Sequence, residues 1–498
     1  MRKWISLLMA ALLLFSQAAL AETANKEIDF NEKPYEINVL FPVTGDAQAD
    51  LQLVQDAANA IIQPAINATI VLEPVSISAM ASTINNKMAG NEKMDLMMLL
   101  PASRYMVSFA QSYVLMPVDQ ELQDYGQSIL SIMGDNIKAG QFNGEQWCIP
   151  QNNFIRKSAQ GFSLSTTYLD KYGINIDDIQ SLEDLEKVFA LIHENEPEVI
   201  TVMPEAASTA MTGPLMPQPD MAGKAYLKIA PDENGELKVS CLIESDEYKA
   251  AAAKVREWYN NGWISKDVAV TQDGGKQLIG AGKCFAITVA QVNVALGELG
   301  TWPTLYKTFE QNKPLVCTSD LQTYMWGVAS TCKRPDKAIQ FLNLCFESAE
   351  LTNLFKYGIE GNHYELLDDG MINLTNQAGY RMSWQLYGDC YKQYVREDTA
   401  KIGRPDITPE EYMQLRRDFD ESCEVSPAFG FMFDTSKVKA QIGACDNVVQ
   451  EFSVPIGCGS VDPETEIPKY VKKLYESGLQ EVLDECQRQL DEWVAANK

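Results

Sequence analysis

The stretch from residue 36 to residue 100 alternates between strand and helix patterns. Apolar runs typical of strands and segments with helical spacing follow one another in this order: Glu36–Phe41, residues 49–62, Thr69–Val75, residues 78–88 and Asp95–Leu100. Strands that alternate with helices form a parallel sheet covered by those helices. Ligands of such sheets bind beyond the carboxyl ends of the strands. The sequence therefore predicts a β-α-β-α-β unit with a ligand edge at residues 41–44 and 100–105.

A second constraint lies at Gly140–Asn153. Asn143-Gly144 is a strong signal for a two-residue hairpin. Pro150 cannot donate to a β-ladder, so a strand should end there. The amide run Gln151-Asn152-Asn153 follows at once. This pattern fits either a crossing between two lobes, whose cleft would hold a small molecule, or an ordinary surface hairpin.

The rest of the chain continues the alternation and then becomes helical. The predicted helices and strands are residues 120–138, a helix after Ser181, Glu198–Met203, Asp246–Asn261, Cys284–Val289, residues 315–318 and 324–330, Pro335–Tyr357, a helix capped by Thr408–Glu411, and residues 436–452, 467–477 and 479–496. We find neither an internal repeat nor a low-complexity linker. This continuity favours lobes interleaved in sequence.

Residues 1–21 have the pattern of a secretory signal. Arg2 and Lys3 precede the apolar run Ile5–Phe15, and Ala19-Leu20-Ala21 is a cleavage site. No cysteine follows the apolar run, so a lipid anchor is not expected. We therefore expect an exported protein, periplasmic or extracellular.

The net charge of −27 over 498 residues argues against nucleic acid and anionic membranes as partners. The eleven cysteines include no C-x-x-C pair, and their number is odd. Disulfides are open to an exported chain, but several of these cysteines lie on apolar faces. We expect mostly buried, unpaired thiols.

The sequence contains few of the motifs that mark catalytic or metal sites. The chain has two histidines, His193 and His363, and lacks a G-x-S-x-G elbow or Cys/His ligand spacing. Its 68 acidic residues leave a glycosidase carboxylate pair open without favouring one. We expect no catalytic residue, no metal and no cofactor.

Aromatic residues with polar neighbours are better represented. Trp384 lies in the irregular stretch SWQLYGDCY, beside Gln385 and Gly388. Sugar rings pack their C–H faces on such rings, while amides and carboxylates bind the hydroxyls. A core position is the alternative for each aromatic residue considered singly.

Several segments resemble one known family. They are YGIEGNHYEL at Tyr357–Leu366, the W-x-x-x-G pattern at Trp384–Gly388, the tail segment FGFMFDTSKVKAQIGACDNVVQEF at Phe429–Phe452, GSVDPE at Gly459–Glu464 and LDECQRQLDEW at Leu483–Trp493. With the signal and the crossing, they make the chain similar to the extracellular solute-binding proteins of bacterial ABC importers (family 1, oligosaccharide-binding-like branch). The tail is similar to that branch's C-terminal helical domain of the DUF3502 type. Relatives commonly have a lipid-anchoring cysteine after the signal, and Asn where this chain has Asp389.

The resemblance implies an α/β, two-lobed periplasmic-binding-protein-like fold of type II, with an added C-terminal helical region. Lobe 1 would comprise residues 30–149 and 325–400. Lobe 2 would comprise residues 150–324 and 401–498. A carbohydrate would bind between the lobes of a monomer, whose partner is the transmembrane permease.

Our predicted ligand-binding residues combine this implication with the residue patterns. Hydrogen bonds are expected from Gln151, Asn152 and Gln291, and ring stacking from Tyr105, Trp326 and Trp384. Asp95, at a strand start, is a further candidate. Two other functions remain open at this point: a binder of peptides or another metabolite on the same fold, and a secreted glycoside hydrolase.

Overall fold

The computed structural model describes residues 26–43, 48–151, 159–292, 306–312, 314–380, 395 and 407–497. The predicted signal, residues 1–21, lies outside this range. Within it, short 3₁₀ helices occupy Ile77–Ala79, Gly134–Gly140, Ile176–Asp178, Gly213–Leu215, Leu242–Glu244, Thr318–Gln322 and Ser436–Val438.

The opening unit has the predicted alternation. Its elements are β1 (Tyr35–Val43), α1 (Leu51–Ile66), β2 (Ala68–Ser76), α2 (Met80–Ala89) and β3 (Leu96–Leu99). Strand β1 pairs in parallel with both β2 and β3. Ile37, Val39 and Leu96 are fully buried in the core beneath the helices, which is why these runs are apolar.

The next segment contains short helices and a hairpin. Its elements are α3 (Ala102–Gln111), α4 (Asp119–Tyr125), α5 (Gln127–Met133), β4 (Gln141–Phe142), β5 (Glu145–Gln146) and β6 (Cys148–Pro150). The single helix predicted over residues 120–138 is wrong. The backbone leaves helical geometry at Gly126, where a Cβ would lie 2.4 Å from Leu122 Cδ1. The Asn143-Gly144 hairpin is confirmed, since both residues have positive φ (54° and 82°) between the paired strands β4 and β5.

A second sheet follows the crossing. Its region comprises β7 (Ala159–Ser165), α6 (Thr166–Tyr172), α7 (Leu182–Asn195), β8 (Ile200–Pro204), β9 (Leu227–Pro231), β10 (Leu237–Cys241), α8 (Asp246–Asn260), α9 (Gly275–Gly280), β11 (Cys284–Val292) and β12 (Tyr306–Glu310). The strand order is β12-β7-β11-β8. Phe162, Phe189 and Trp258 are fully buried against it and contact one another edge to face.

The chain then returns to the first sheet. The remaining elements are β13 (Leu315–Val316), β14 (Met325–Val328), α10 (Pro335–Glu347), α11 (Ala349–Tyr357), β15 (Tyr364–Leu366), β16 (Ile372–Leu374), α12 (Pro409–Ser422), β17 (Glu424–Val425), α13 (Lys439–Gly457), α14 (Pro463–Glu476) and α15 (Leu479–Ala496). Strand β14 completes the first sheet, whose order is β2-β1-β3-β14-β6.

The helix predicted over Pro335–Tyr357 is two helices, which corrects the prediction. Ser348 adopts extended backbone angles between them, and its Oγ accepts a hydrogen bond from Leu351 N (3.1 Å) as the cap of α11. The capping box at Thr408–Glu411 is confirmed. Thr408 N donates to Glu411 Oε2 (2.9 Å), and Glu411 N donates to Thr408 Oγ1 (3.2 Å).

The three tail helices, α13 to α15, pack against the region around β9, β10 and α8. Tyr226 and Tyr248 share a buried cluster with Tyr470, Val482 and Leu490 of the tail. The buried faces of α14 and α15 are the amphipathic faces visible in the sequence.

A bridging segment, residues 428–433, joins this cluster to the first half. Ala428, Phe431 and Phe433 belong to the tail cluster. Phe429 and Met432 pack instead against the core around β3. Because the side chains are directed to two cores, this segment couples the tail to the first sheet.

Candidate ligand-binding site

One edge of the first sheet gathers the ends of several strands. Val43 lies opposite Ser76, Leu99 lies opposite Met325, and Met325 lies opposite Pro150. These registers place the carboxyl ends of β1, β3 and β6 at the same edge. In open sheets of this kind, ligands bind beyond that edge.

The second sheet has a corresponding edge. Pro204 at the end of β8 lies opposite Thr288, and Val292 at the end of β11 lies opposite Ala159. The beginning of β7 and the end of β12 therefore lie beside the carboxyl ends of β8 and β11.

Two crossings connect these edges. One runs from Gln151 to β7, and the other runs from β12 to β14. They are held together where Gln311 N and Asn312 N both donate to Gln160 O (3.1 and 3.2 Å). Because each crossing leaves one carboxyl edge and enters at the other, the two edges border a shared region.

A cavity of about 400 Å³ opens at the second edge. Gln160, Glu205 and Thr288 line its sheet end, and Met216 and Gln218 line its side. Within the described residues, the buried Oε1 atoms of Gln160 and Gln218 have no hydrogen-bond partner. The side-chain amides of these two lining residues are groups that hydrogen-bond polar ligands.

The loop after β8, residues 205–221, forms the side of this cavity. Asn312 Nδ2 donates to Pro214 O (3.1 Å) and Met216 O (2.6 Å), which fixes the loop to the second crossing. Glu205 pairs with Lys276 Nζ at 2.5 Å. Helix α9 approaches so closely that a Cβ on Gly275 would lie 2.4 Å from Pro204 O.

Two buried tyrosines, Tyr248 and Tyr470, line the cavity. Burial raises the pKa of Tyr248 and of Tyr470 above that of a free phenol. Both rings are therefore neutral at physiological pH and offer apolar surface.

The structure places some predicted residues at the facing edges. Gln151 is 4% exposed and directly follows β6. Tyr105 lies in α3, directly after β3, and is half-buried with its ring centre 5.5 Å from that of Phe109. Gln291 lies near the end of β11, and its side chain is outside the described part of the chain. Asn152 and Trp384 are also outside the described residues.

Two predicted residues need correction. Trp326 is 3% exposed in the core of the first sheet, so its ring has no open face for a sugar. Asp95 precedes β3 and so lies at the opposite edge of the sheet, where it accepts hydrogen bonds from Tyr35 Oη and Asn38 N (both 2.8 Å). Its role is structural, because it fixes β1 to β3.

The sequence reasoning missed Gln160, Glu205 and Gln218. The rule of carboxyl ends, applied to the predicted strand Glu198–Met203, could have nominated Glu205. Gln160 follows the predicted crossing closely. Gln218 had no signal, because it lies in an irregular, proline-rich loop.

The described residues contain neither a metal site nor a membrane-spanning helix. Among the described residues, no group of three or more His, Cys, Asp or Glu side chains has the arrangement of a metal site. None of the described helices is both long and apolar enough to span a bilayer.

Solved structures share this architecture. The N-glycan transport solute-binding protein NgtS of Streptococcus pneumoniae superimposes with a TM-score of 0.76 at 22% identity, over 93% of this chain and 100% of that one. An extracellular solute-binding protein of Bifidobacterium longum subsp. infantis gives a TM-score of 0.65 at 15% identity, over 93% and 99% of the two chains.

This chain has the fold of the extracellular solute-binding proteins. The predicted α/β, two-lobed architecture is thereby confirmed. The sequence of this chain is also similar to that of a carbohydrate ABC transporter substrate-binding protein of Streptococcus pneumoniae serotype 4. The two are 24% identical over 96% of this chain and 95% of the relative. Residues 427–495 match the family DUF3502, a domain of unknown function. The resemblance to such proteins stated from the sequence is confirmed.

Proposed function

We propose that this protein is the substrate-binding component of an ABC transporter, which captures an oligosaccharide between its lobes and delivers it to a membrane permease. The observation that carries the proposal is the similarity, over 96% of the chain, to a carbohydrate ABC transporter substrate-binding protein. A related structure is described in complex with Man1GlcNAc. The function predicted from the sequence agrees with both.

The division into lobes is part of the proposal: residues 30–149 and 325–400 form lobe 1, and residues 150–324 and 401–498 form lobe 2. Strands of the first sheet come from residues 35–150 and 325–328, and those of the second from residues 159–310. A ligand that contacts both facing edges would favour a closed arrangement by hinge motion at the two crossings.

Within the cleft, we propose that Gln151, Asn152 and Gln291 bind hydroxyl groups and that Tyr105 and Trp384 contact sugar rings. The position of Tyr105 and Gln151 at the edge of the first sheet supports this assignment. We further propose that the protein is exported after removal of residues 1–21 and acts as a monomer that binds its ligand without transforming it.

The test is a thermal-shift assay on residues 22–498 with glycans and peptides. The panel contains Man1GlcNAc, Man5GlcNAc, kestose, alginate fragments, mannose, N-acetylglucosamine and a mixture of short peptides. A ligand at a hundred times its Kd should add about 2.7 kcal/mol of stability, which shifts Tm by several degrees. We expect this shift with one class of oligosaccharide, which is recovered intact.

The other outcomes contradict the proposal in different ways. A shift with peptides alone would leave a two-lobed binder of another solute. Recovery of a cleaved glycan would identify a hydrolase.

Trp384→Ala should weaken the affinity for the identified glycan by roughly fivefold or more, since ring contacts contribute about 1 kcal/mol. A change in affinity under about twofold would show that Trp384 is not part of the site.

A further inference from the structure

The cavity beside the second sheet has one wall that belongs to the C-terminal domain. Val449 and Ser453 on α13 and Tyr470 on α14 line it together with Gln160 and Thr288. All three tail residues fall within residues 427–495, the match to the domain of unknown function. The cavity is thus enclosed jointly by the sheet edge, the 205–221 loop and this domain.

We propose that this cavity is a sugar subsite that holds one end of the captured oligosaccharide, and that the C-terminal domain is therefore part of the binding site. The inference rests on the proposed function, because it takes the ligand to be a carbohydrate. It adds a location for one end of the ligand and a role for residues 427–495.

The chemistry of the lining matches a sugar ring. Gln160 and Gln218 line the cavity, and their side-chain amides are of the kind that hydrogen-bond sugar hydroxyl groups. Pro214, Met216 and Val449 present apolar surface to the C–H faces of the ring. A few fixed polar groups in a largely apolar lining are typical of small-molecule sites.

The size of the cavity limits what it holds. At about 400 Å³, it lies near the lower end of the range for ligand pockets, roughly 300–1,000 Å³. It therefore accommodates the end of an oligosaccharide, while the remainder extends past Gln160 toward the region between the two carboxyl edges.

Contacts with the C-terminal domain hold the 205–221 loop in place. Met211 N donates to Gly457 O (2.8 Å), and Cys458 Sγ donates to Thr209 O (3.0 Å). A Cβ on Gly457 would lie 2.4 Å from Ala210 Cβ, so the helix end and the loop are in close contact. A loop fixed before the ligand arrives loses less conformational entropy on binding.

The test is a substitution on α13 that fills the cavity with a large side chain. Ser453→Trp places an indole in the cavity, and Gln450→Trp is the control because Gln450 is exposed on the same helix. Isothermal titration calorimetry with Man1GlcNAc, Man5GlcNAc and kestose measures Kd for wild type and both variants. We expect Ser453→Trp to raise Kd at least tenfold and Gln450→Trp to leave it within twofold.

Two further variants keep the test decisive if Ser453→Trp does not fold. Gln160→Leu and Gln218→Leu remove the acceptors with little change in volume, and Gln450→Leu is their matched control. We expect each of the first two to raise Kd about fivefold or more.

The outcomes separate the two proposals. If wild type binds a glycan and the cavity variants all bind it within twofold, the subsite is contradicted while the proposed function stands. If wild type binds none of the oligosaccharides of the thermal-shift panel, both the carbohydrate assignment and the subsite are contradicted.

Discussion

At the scale of single residues, the two histidines have different environments. His363 is buried, its Nδ1 accepts a hydrogen bond from Ile359 N (2.9 Å), and its Nε2 lies 3.1 Å from Asp50 Oδ2. The proton is therefore on Nε2, which donates to Asp50. His193 is exposed near the end of α7, as the sequence indicated.

We expect His363→Ala to lower the free energy of unfolding by about 1–3 kcal/mol, because it removes both hydrogen bonds and leaves the Ile359 N–H without its acceptor. His193→Ala is the matched control and should change stability by less than about 0.5 kcal/mol. Urea unfolding followed by circular dichroism measures both. Equal effects of the two substitutions would contradict the structural role of His363.

The cysteines are the second residue-scale feature. Burial raises the pKa of Cys241 and Cys445 to about 11 and that of Cys284 and Cys458 to about 12. These four are buried thiols, in line with the expectation from the sequence. Cys390 lies outside the described residues.

We expect N-ethylmaleimide at pH 8 to modify these four cysteines at least ~10-fold more slowly in the native protein than in urea, since the thiolate is the reactive species. Cys423, which is partly exposed, is the internal reference for a faster site. Mass spectrometry of tryptic peptides gives the rates. Native labelling of the four as fast as that of Cys423 would show that the cores are open to solvent.

The same pKa shifts set a dependence of stability on pH. An unfolded thiol has a pKa of about 8.5, below the raised values in the folded protein. The stability contributed by burying the neutral thiols is therefore complete below about pH 8.5 and falls as pH rises toward 11. Replacing Cys284 with Ala should reduce the loss of Tm over that interval.

At the scale of elements, strand and helix identity followed the sequence more closely than helix length did. The β-α-β-α-β unit and the hairpin at Asn143-Gly144 could be predicted because local period and turn chemistry specify them. The breaks at Gly126 and Ser348 could not. Leu122 occupies the space that a Cβ on residue 126 would need, and Ser348 caps a new helix. Both are local features, but the apolar periodicity used to predict the helices does not report them.

The tie between Asn312 and the 205–221 loop is also an element-scale feature. We expect Asn312→Ala to free Pro214 O and Met216 O and to increase amide exchange in residues 211–221 by roughly tenfold, as local opening becomes about 1.4 kcal/mol easier. Hydrogen exchange with mass spectrometry measures this change. Asn447→Ala, at an exposed position of α13, is the control; the same exchange profile in both variants would mean that Asn312 does not hold the loop.

At the scale of the whole molecule, the bridging segment 428–433 couples the tail to the first sheet. Gly430 N, within this segment, donates to Thr318 Oγ1 (2.9 Å), and Asp434 Oδ2, directly after it, accepts from Gln111 Nε2 (2.8 Å). Motion of one lobe against the other must therefore accommodate the packing of Phe429 and Met432.

We expect the double substitution Phe429→Ala and Met432→Ala to destabilise the protein by about 2–4 kcal/mol, because it removes apolar contacts with the core around β3. The loss is smaller than for two fully buried side chains, because both are only half-buried. The double substitution should also separate the unfolding of the two halves in differential scanning calorimetry. Phe30→Ala, which removes an exposed ring, is the control. An unchanged thermogram would show that the segment does not couple the halves.

The ligand edge of the first sheet was predictable, whereas the cavity at the second edge was not: of the predicted residues that the structure describes, neither Tyr105 nor Gln151 lines it. The carboxyl-end rule located the edge at residues 100–105, and the proline followed by amides located the crossing at Gln151. Trp326 was assigned wrongly: it stands between Met325 and Gly327 in β14, and its ring is buried in the core of the first sheet among residues from distant parts of the chain. Asp95 was assigned wrongly, because the direction of β3 places it at the other edge.

The sequence by itself determined the local periods, the turns, the caps and the family resemblance, since these depend on residues near one another in the chain. Only the tertiary structure decided that Gln160, Gln218 and Ser453 line one cavity, because they lie on three segments separated by about 58 and 235 residues. Chain separation of that length carries no local signal. The cavity exists because α13 packs on the loop after β8, and that contact is a property of the folded molecule alone.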